Sequence, residues 1–336
     1  MKISLKSVFI NLILFVFGLG MIWLAFRGQN FKEILIGLKK VNYSLVLFSL
    51  VFVSISHFVR GLRWIQLIEP MGYYVSPINA FQAVMIGYLA NLALPRVGEI
   101  TRCGILSKAT KAPLEILIGT VITERLWDLI SLIFIMLFTL IFQYHLLIRF
   151  FNETILKGFS NHVPSIAFIL IFTVSLIFLS FLLRSLWVKN ESKIRSSPFF
   201  KKFYTLGQGL LNGIKSFTEI KKKGLFILYT LIIWLGYALA SWILFYSISL
   251  TMNLGFRASL LVLSVGALGM VAPVQGGIGA YHWMVSHGLL LYNIPLSSGL
   301  IYATINHSSG ILLIIFLGSL SLLGFFWNKP KDPIKL

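Results

Sequence analysis

Long apolar runs, separated by short polar stretches, dominate the pattern of hydrophobic and polar positions along this chain. A helix that crosses a bilayer needs about 20 apolar residues. The runs that approach or exceed this length cover residues 7–26, 43–59, 113–142, 163–183, 224–250 and 295–327. A signal peptide is the alternative for the first run, because Lys2 and Lys6 precede it, but no small-residue cleavage site follows. The pattern therefore predicts an all-α polytopic membrane protein with six spanning helices.

Two further apolar segments are interrupted by proline and glycine. Residues 77–106 break at Leu94-Pro95-Arg96-Val97-Gly98-Glu99, and residues 258–293 break at Ala272-Pro273-Val274-Gln275-Gly276-Gly277-Ile278-Gly279. Proline removes a backbone donor and disfavours helix in the residue before it. Broken backbone at membrane depth is tolerated only where it is buried in protein or lines a watery cavity. We therefore predict that each segment is a re-entrant helical hairpin, with a kinked spanning helix as the alternative.

The basic residues favour the hairpins. If the N-terminus is cytoplasmic and each broken segment returns to the side it entered from, most of the 29 Lys and Arg residues are cytoplasmic. They then include Arg60, Arg63 and the basic segment 184–223, as the positive-inside rule requires. If the broken segments instead crossed the membrane as kinked helices, the basic segment 184–223 would lie on the outer side of the membrane. The hairpins also make the halves 1–150 and 160–330 an inverted repeat with both termini in the cytoplasm, an arrangement typical of transporters.

The whole chain, residues 1–336, is thus predicted to be a single transmembrane domain. Within it, residues 184–223 mix basic side chains with phenylalanine and leucine. This mixture predicts a basic amphipathic helix on anionic lipid headgroups, and a simple charged loop is the alternative.

Composition excludes several function classes. Hydrophobic residues make up 57% of the chain and charged residues only 12%, whereas soluble domains carry about 25% charged residues. The net charge of +19 suggests nucleic acid, but no polar domain exists to carry a groove-reading surface. A single cysteine, Cys103, excludes an intrachain disulfide, and no spacing indicates a metal site. Catalytic and nucleotide-binding motifs are also missing, so we predict no cofactor, no metal and no catalytic residue.

Ionisable residues at membrane depth are the main functional candidates. Glu124 lies 11 residues beyond Pro113, which is about 16 Å along a helix and close to the middle of the membrane core. Asp128 lies one turn further on and neighbours both Glu124 and Arg125. The first break contributes Arg96, Glu99 and Arg102.

Two interpretations of these charges are compatible. Arg96 follows a proline at a helix break, where a guanidinium and free backbone donors are suited to holding a phosphate. In the second interpretation, Glu99, Glu124 and Asp128 pair with the arginines in a network that holds the first hairpin against the fourth predicted span.

The second break carries weaker signals. Gly276, Gly277 and Gly279 allow the backbone to approach a ligand closely, and the half-helix that follows directs its positive end toward the break. Close helix packing explains such glycines equally well. His282 and His307 titrate near neutral pH in water, but a histidine in an apolar span is more often a packing residue.

Several short motifs resemble those of a known family, the transmembrane region of lysylphosphatidylglycerol synthases and related flippase-like integral membrane proteins. The matching stretches span nearly the whole chain: Arg60-Gly61-Leu62-Arg63-Trp64, Gly87-Tyr88-Leu89-Ala90-Asn91, Leu94 to Glu99 with Arg102, Glu124-Arg125-Leu126-Trp127-Asp128, and Pro273 to Gly279. Two positions depart from the family pattern: Gln275 stands where a second proline is common, and His282 stands where an acidic residue is usual. The soluble aminoacyl-transferase domain of the full synthases does not follow Trp327.

This resemblance implies a multi-pass protein of the cytoplasmic (inner) membrane that handles lipids. We therefore expect a flippase or lipid-phosphate transporter for an anionic lipid, either a phospholipid or a polyprenyl-phosphate-linked lipid. Its partners would be anionic membrane lipids rather than nucleic acid, and an oligomer is compatible with the sequence. The alternatives are a membrane-embedded glycosyl- or acyl-transferase, or an accessory subunit that presents a lipid carrier to another enzyme.

Overall fold

The computed structural model describes residues 16, 18–94, 97–144, 146, 220–272 and 274–327 of the 336-residue chain. Within these residues all regular structure is helical, which confirms the predicted all-α class. A helical stretch covers residues 18–26. The longer helices follow in chain order: α1 (Phe31–Lys39), α2 (Tyr43–Ile68), α3 (Pro77–Ala93), α4 (Val97–Thr110), α5 (Leu114–Phe142), α6 (Lys223–Phe245), α7 (Phe256–Val271), α8 (Ala280–Leu290) and α9 (Leu296–Trp327).

Four of the described helices are long and apolar enough to cross a membrane. They are α2 with the 3-10 turn that follows it, and α5, α6 and α9. Each coincides with one of the six predicted spans. The predicted span 163–183 lies outside the described residues, and only the later part of the predicted span 7–26 lies within them. The predicted amphipathic segment 184–223 is likewise outside them except for residues 220–223.

Local sequence signals explain where helices begin. The side chain of Asn42 accepts hydrogen bonds from the backbone N–H groups of Ser44 and Leu45, which caps the start of α2. Ser76 caps α3 in the same way through Asn79, and Pro77 occupies the first helical position, where no backbone donor is needed.

Both predicted breaks are observed. The first separates α3 from α4, and the second separates α7 from α8. In the second break, Gly276, Gly277 and Gly279 have φ angles of +60°, +72° and +84°. L-residues rarely adopt this left-handed backbone, so glycine is required for the chain to turn here.

Each break joins two helices that pack against one another. In the pair α3–α4, the Cα of Gly98 lies against the backbone of Gly87 and the side chain of Asn91. In the pair α7–α8, Gly269 lies against the backbone of Tyr281. We call these pairs the first and the second helical hairpin. The small residues at their crossings allow the helix backbones to approach closely.

The hairpins pack onto the long helices in a reciprocal way. Helix α3 of the first hairpin packs on α9, and α7 of the second hairpin packs on α5. Between the two halves, α2 packs along α6. There, the Ser56 hydroxyl donates to the Ile233 carbonyl at 3.2 Å. Two apolar cores result, one around α2–α5 and one around α6–α9.

Gly98 provides a test of the first hairpin. A Cβ added at Gly98 would collide with the Gly87 carbonyl and would come within 2.6 Å of the Asn91 side chain. We expect Gly98→Ala to lower the free energy of unfolding by about 1–3 kcal/mol, as overpacking usually does. The measurement is the thermal unfolding midpoint of the purified protein in detergent.

Gly104→Ala is the matched control on the same helix, because a Cβ at Gly104 meets nothing within 4 Å. We expect this variant to unfold at or slightly above the wild-type temperature, since alanine favours helix over glycine. Equal midpoints for the two variants would contradict the close approach of α3 and α4.

Candidate functional site

Two arginines on α2 face two carboxylates on α5 inside the first core. The Nη1 atom of Arg60 lies 3.0 Å from Glu124 Oε1 and 2.6 Å from Asp128 Oδ2. The Nη2 atom of Arg63 lies 2.5 Å from Asp128 Oδ1 and 3.5 Å from Glu124 Oε1. Glu124 and Arg63 are fully buried and Arg60 is 5% exposed. Because these charges are excluded from water, each depends on its partners.

The first hairpin adds a third buried arginine from α4. The Nη1 atom of Arg102 lies 2.9 Å from Glu124 Oε2, and its guanidinium lies 4.7 Å from the centre of the Trp64 ring. The contact with Glu124 is an ion pair without hydrogen-bond alignment, and no nitrogen of this guanidinium has a hydrogen-bond partner in the described part of the chain. Arg102 therefore keeps unused donor capacity inside the core.

A fourth arginine lies at the edge of this cluster. Arg125 Nη2 lies 2.9 Å from Glu99 Oε1, and the two side chains are 39% and 30% exposed. Arg125 Nη1 also lies 3.6 Å from Asp128 Oδ2. Asn91 supports this ion pair, because its amide donates to Glu99 Oε2 at 3.4 Å and its oxygen accepts from the Gly98 N–H at 2.7 Å. The Glu99–Arg125 pair thus connects the buried cluster to the protein surface.

A groove of about 220 Å³ between α4 and α5 begins at this exposed ion pair. Apart from Glu99 and Arg125, it is lined by Ile100, Ile118, Val121, Ile122 and Leu126. Ile100 and Ile122 are 59% and 50% exposed. At this site, a charged pair therefore lies at one end of an open aliphatic groove.

Among the residues that the structure describes, the charges in the cluster do not balance. Its members are the arginines Arg60, Arg63, Arg102 and Arg125, and the carboxylates Glu99, Glu124 and Asp128. With every group ionised, the cluster carries one excess positive charge. A cation without a counterion is expensive in a low-dielectric interior, so the arrangement favours the binding of an anion.

The structure brings together most of the residues predicted from the first hairpin and from α5. Glu99, Arg102, Glu124, Arg125 and Asp128 form one connected network, and the carboxylates are paired as the ion-pair interpretation predicts. Arg96 lies outside the residues that the structure describes.

The sequence analysis did not predict that Arg60 and Arg63 are buried inside the protein. Their position on the cytoplasmic side of the membrane stays a prediction. Ending the second span at residue 59 assumed that the first charged residues mark the membrane surface, but α2 continues to Ile68 with both arginines facing α5. The available signal was the Arg60-Gly61-Leu62-Arg63-Trp64 motif. Its arginines lie on one helix face three residues apart.

The residues predicted at the second break form a separate arrangement. His282 Nδ1 accepts a hydrogen bond from the Gly279 N–H at 3.3 Å, and Gly277 lies against Met270. The 3-10 turn Gln275–Gly277 packs against α3, the first helix of the other hairpin. For Gln275 the structure describes the backbone alone. The two breaks are therefore neighbours, but none of the described ion pairs of the arginine cluster involves a second-break residue.

Comparison with known proteins gives a consistent result. A family model described as "Lysylphosphatidylglycerol synthase TM region" matches residues 8–318 of this chain. The chain is also similar to the UPF0104 membrane protein MJ1595 of Methanocaldococcus jannaschii, with 24% identity over 311 residues, which cover 88% of each chain. No solved structure matches this chain.

Glu124 allows the buried cluster to be tested. We expect Glu124→Gln to destabilise the protein by about 3–5 kcal/mol, because loss of one partner leaves buried arginines uncompensated. Thermal unfolding in detergent measures the effect. The matched control is Glu115→Gln, an exposed carboxylate at the start of the same helix, and similar unfolding temperatures for both variants would contradict a structural role of the cluster.

Proposed function

Because this chain belongs to the lysylphosphatidylglycerol synthase transmembrane-region family, we propose that it moves an anionic lipid between the two leaflets of the cytoplasmic membrane. The lipid is a phospholipid or a polyprenyl-phosphate-linked lipid. The protein moves this lipid without modifying it chemically. The observation that carries this proposal is the junction of the half-exposed Glu99–Arg125 pair with the aliphatic groove between α4 and α5. A site with one charged end and one apolar channel matches the two parts of a lipid.

The phosphate binds first at Arg125. A guanidinium holds a phosphate through two parallel hydrogen bonds, and Arg125 is released for this role when its pair with Glu99 opens. Asp128 contacts both Arg125 and Arg60, so a change at the exposed pair reaches the buried arginines directly. The excess positive charge of the cluster then offsets part of the cost of bringing a phosphate into the membrane core.

The hydrocarbon chain lies along the aliphatic groove. Its walls between α4 and α5 are almost entirely apolar, and isoleucines on its open side are exposed where lipid surrounds the helices. A chain in this groove therefore stays in an apolar environment while the headgroup contacts the protein.

We further propose the complete topology of six spans and two re-entrant hairpins, with both termini in the cytoplasm. The hairpin helices α3, α4, α7 and α8 have 17, 14, 16 and 11 residues. At about 1.5 Å per residue, each is shorter than the ~30 Å hydrocarbon core. The reciprocal packing of α3 on α9 and of α7 on α5 supports an inverted repeat, in which broken helices meet near the midplane.

Arg125 tests the headgroup site. We expect Arg125→Gln to slow translocation at least tenfold, because glutamine removes the charge that holds the phosphate. The measurement is dithionite bleaching of NBD-labelled phosphatidylglycerol in proteoliposomes of phosphatidylcholine and phosphatidylglycerol. The control is Arg27→Gln, which removes an exposed arginine beside Trp23.

Two results would contradict the proposal. One is a wild-type rate of lipid translocation in an Arg125→Gln variant whose size-exclusion elution profile matches that of the wild type. The other is a changed mass of the labelled lipid after incubation with the wild-type protein and a lysate fraction of small molecules, because a transferase modifies its lipid and a flippase does not.

Ile122 tests the groove without altering any charge. We expect Ile122→Trp to fill the channel and to slow translocation of the same labelled lipid several-fold, while unfolding remains close to wild type because Ile122 is half exposed. Ile133→Trp is the matched control, since Ile133 lies on the same helix with similar exposure and does not line the groove. Equal rates for the two variants would exclude the groove from the lipid path.

A further inference from the structure

Two histidines lie together where the second helical hairpin packs on α9. His282 on α8 and His307 on α9 have ring centroids 5.1 Å apart. His307 is the twelfth residue of α9, and Glu124 is the eleventh residue of α5, which is the corresponding helix of the first half. In the proposed inverted repeat, the two halves therefore carry different chemistry about three turns into α5 and α9.

The described groups that contact these two histidines are uncharged. His307 stacks on Tyr281 of α8, with ring centroids 4.9 Å apart, and the Tyr281 hydroxyl accepts a hydrogen bond from the Asn306 amide at 2.8 Å. Phe26 lies beside His282. The titratable groups that touch His307 in the described part of the chain are Tyr281 and His282, both from α8, and neither histidine forms an ion pair there.

The hydrogen bond of His307 determines which of its ring nitrogens carries the proton in the neutral form. Its Nε2 lies 2.7 Å from the carbonyl oxygen of Gly276. A carbonyl only accepts hydrogen bonds, so Nε2 must carry a proton. In the neutral ring, Nδ1 is then an unprotonated acceptor. This nitrogen can take up a proton without loss of the bond to Gly276.

In His282, by contrast, the hydrogen-bonded ring nitrogen is the acceptor. Its Nδ1 accepts the Gly279 N–H at the start of α8, and protonation of this nitrogen would bring two N–H groups together and remove a cap from the helix. His282 is therefore held neutral, and only one proton is taken up by the pair. The ring of Tyr281, which lies nearly parallel to His307 at an angle of 19°, stabilises the resulting imidazolium.

We propose that His307 is a proton-binding site that couples lipid movement to a proton gradient. The inference rests on the proposed function. The carboxylates of the first half are engaged by arginines, so they are poorly suited to carrying protons. The bond from His307 to Gly276 links protonation to the broken backbone of the second hairpin, where φ of Gly276 is +60°, and this turn packs against α3 of the first hairpin.

The first test applies a pH gradient to the proteoliposomes with NBD-labelled phosphatidylglycerol. We expect the wild-type rate to rise several-fold when one side is acidified, and we expect the ratio of the rates with and without the gradient to fall to about one in His307→Gln. The control is His287→Gln, because His287 bonds the Trp283 carbonyl within its own helix, and this variant keeps the wild-type ratio. A wild-type ratio in His307→Gln would overturn the proposal.

A second measurement does not require transport. In protein with ¹⁵N-labelled histidine in lipid nanodiscs, NMR distinguishes bare from protonated ring nitrogens, and the signals that disappear in His307→Gln identify His307. We expect a free Nδ1 on His307 at alkaline pH, a doubly protonated ring at acid pH, and a neutral His282 throughout. A His307 protonated on Nδ1 alone would overturn the proposal. If the wild type translocates no lipid but the NMR result holds, the flippase assignment fails while the proton site stands.

Discussion

Charge that is buried between apolar helices must be paired, because an isolated ion in a low-dielectric interior costs several kcal/mol. This constraint organises the first half of the molecule. Glu124 is shared by Arg60, Arg63 and Arg102, so one fully buried carboxylate fixes α2, α4 and α5 relative to one another. Apolar packing alone permits these helices to slide, whereas three ion pairs to a single carboxylate define both their depth and their rotation.

The close approach of α3 and α4 makes this pairing possible. Arg102 reaches Glu124 from a helix that runs back along α3, and Gly87 and Gly98 bring the two backbones together. Asn91 then connects the hairpin crossing to Glu99 and, through Glu99, to Arg125. Backbone geometry and electrostatics therefore depend on the same few residues, and a disturbance of the hairpin moves the arginine that faces the groove.

The sequence was most informative where structure follows local rules. Both helix breaks follow from proline and glycine, and the common face of Glu124 and Asp128 follows from helical periodicity. The presence of Arg60 and Arg63 in the buried cluster could not be predicted in this way, because a span assigned from hydropathy ends at its first charged residue. Recognising that these arginines are buried requires partners that lie more than 60 residues away in the chain. The groove between α4 and α5 escaped prediction for the same reason, since its lining comes from two helices whose faces are set by packing.

The two hairpins pack reciprocally on α9 and α5, but their surroundings differ in the charge that they bury. In the first half, the partners of Glu124 and Asp128 are permanent cations, so a mobile anion can compete for arginine without any proton being taken up. Beside the second hairpin lies His307, which bonds a backbone carbonyl and faces neutral rings. A fixed cation at one hairpin suits a phosphate, whereas a neutral imidazole at the other suits a proton. The turn at Gly276 packs against α3. In the proposed mechanism, a change of charge at His307 acts through this contact on the hairpin that carries Glu99, and so couples a proton to a lipid.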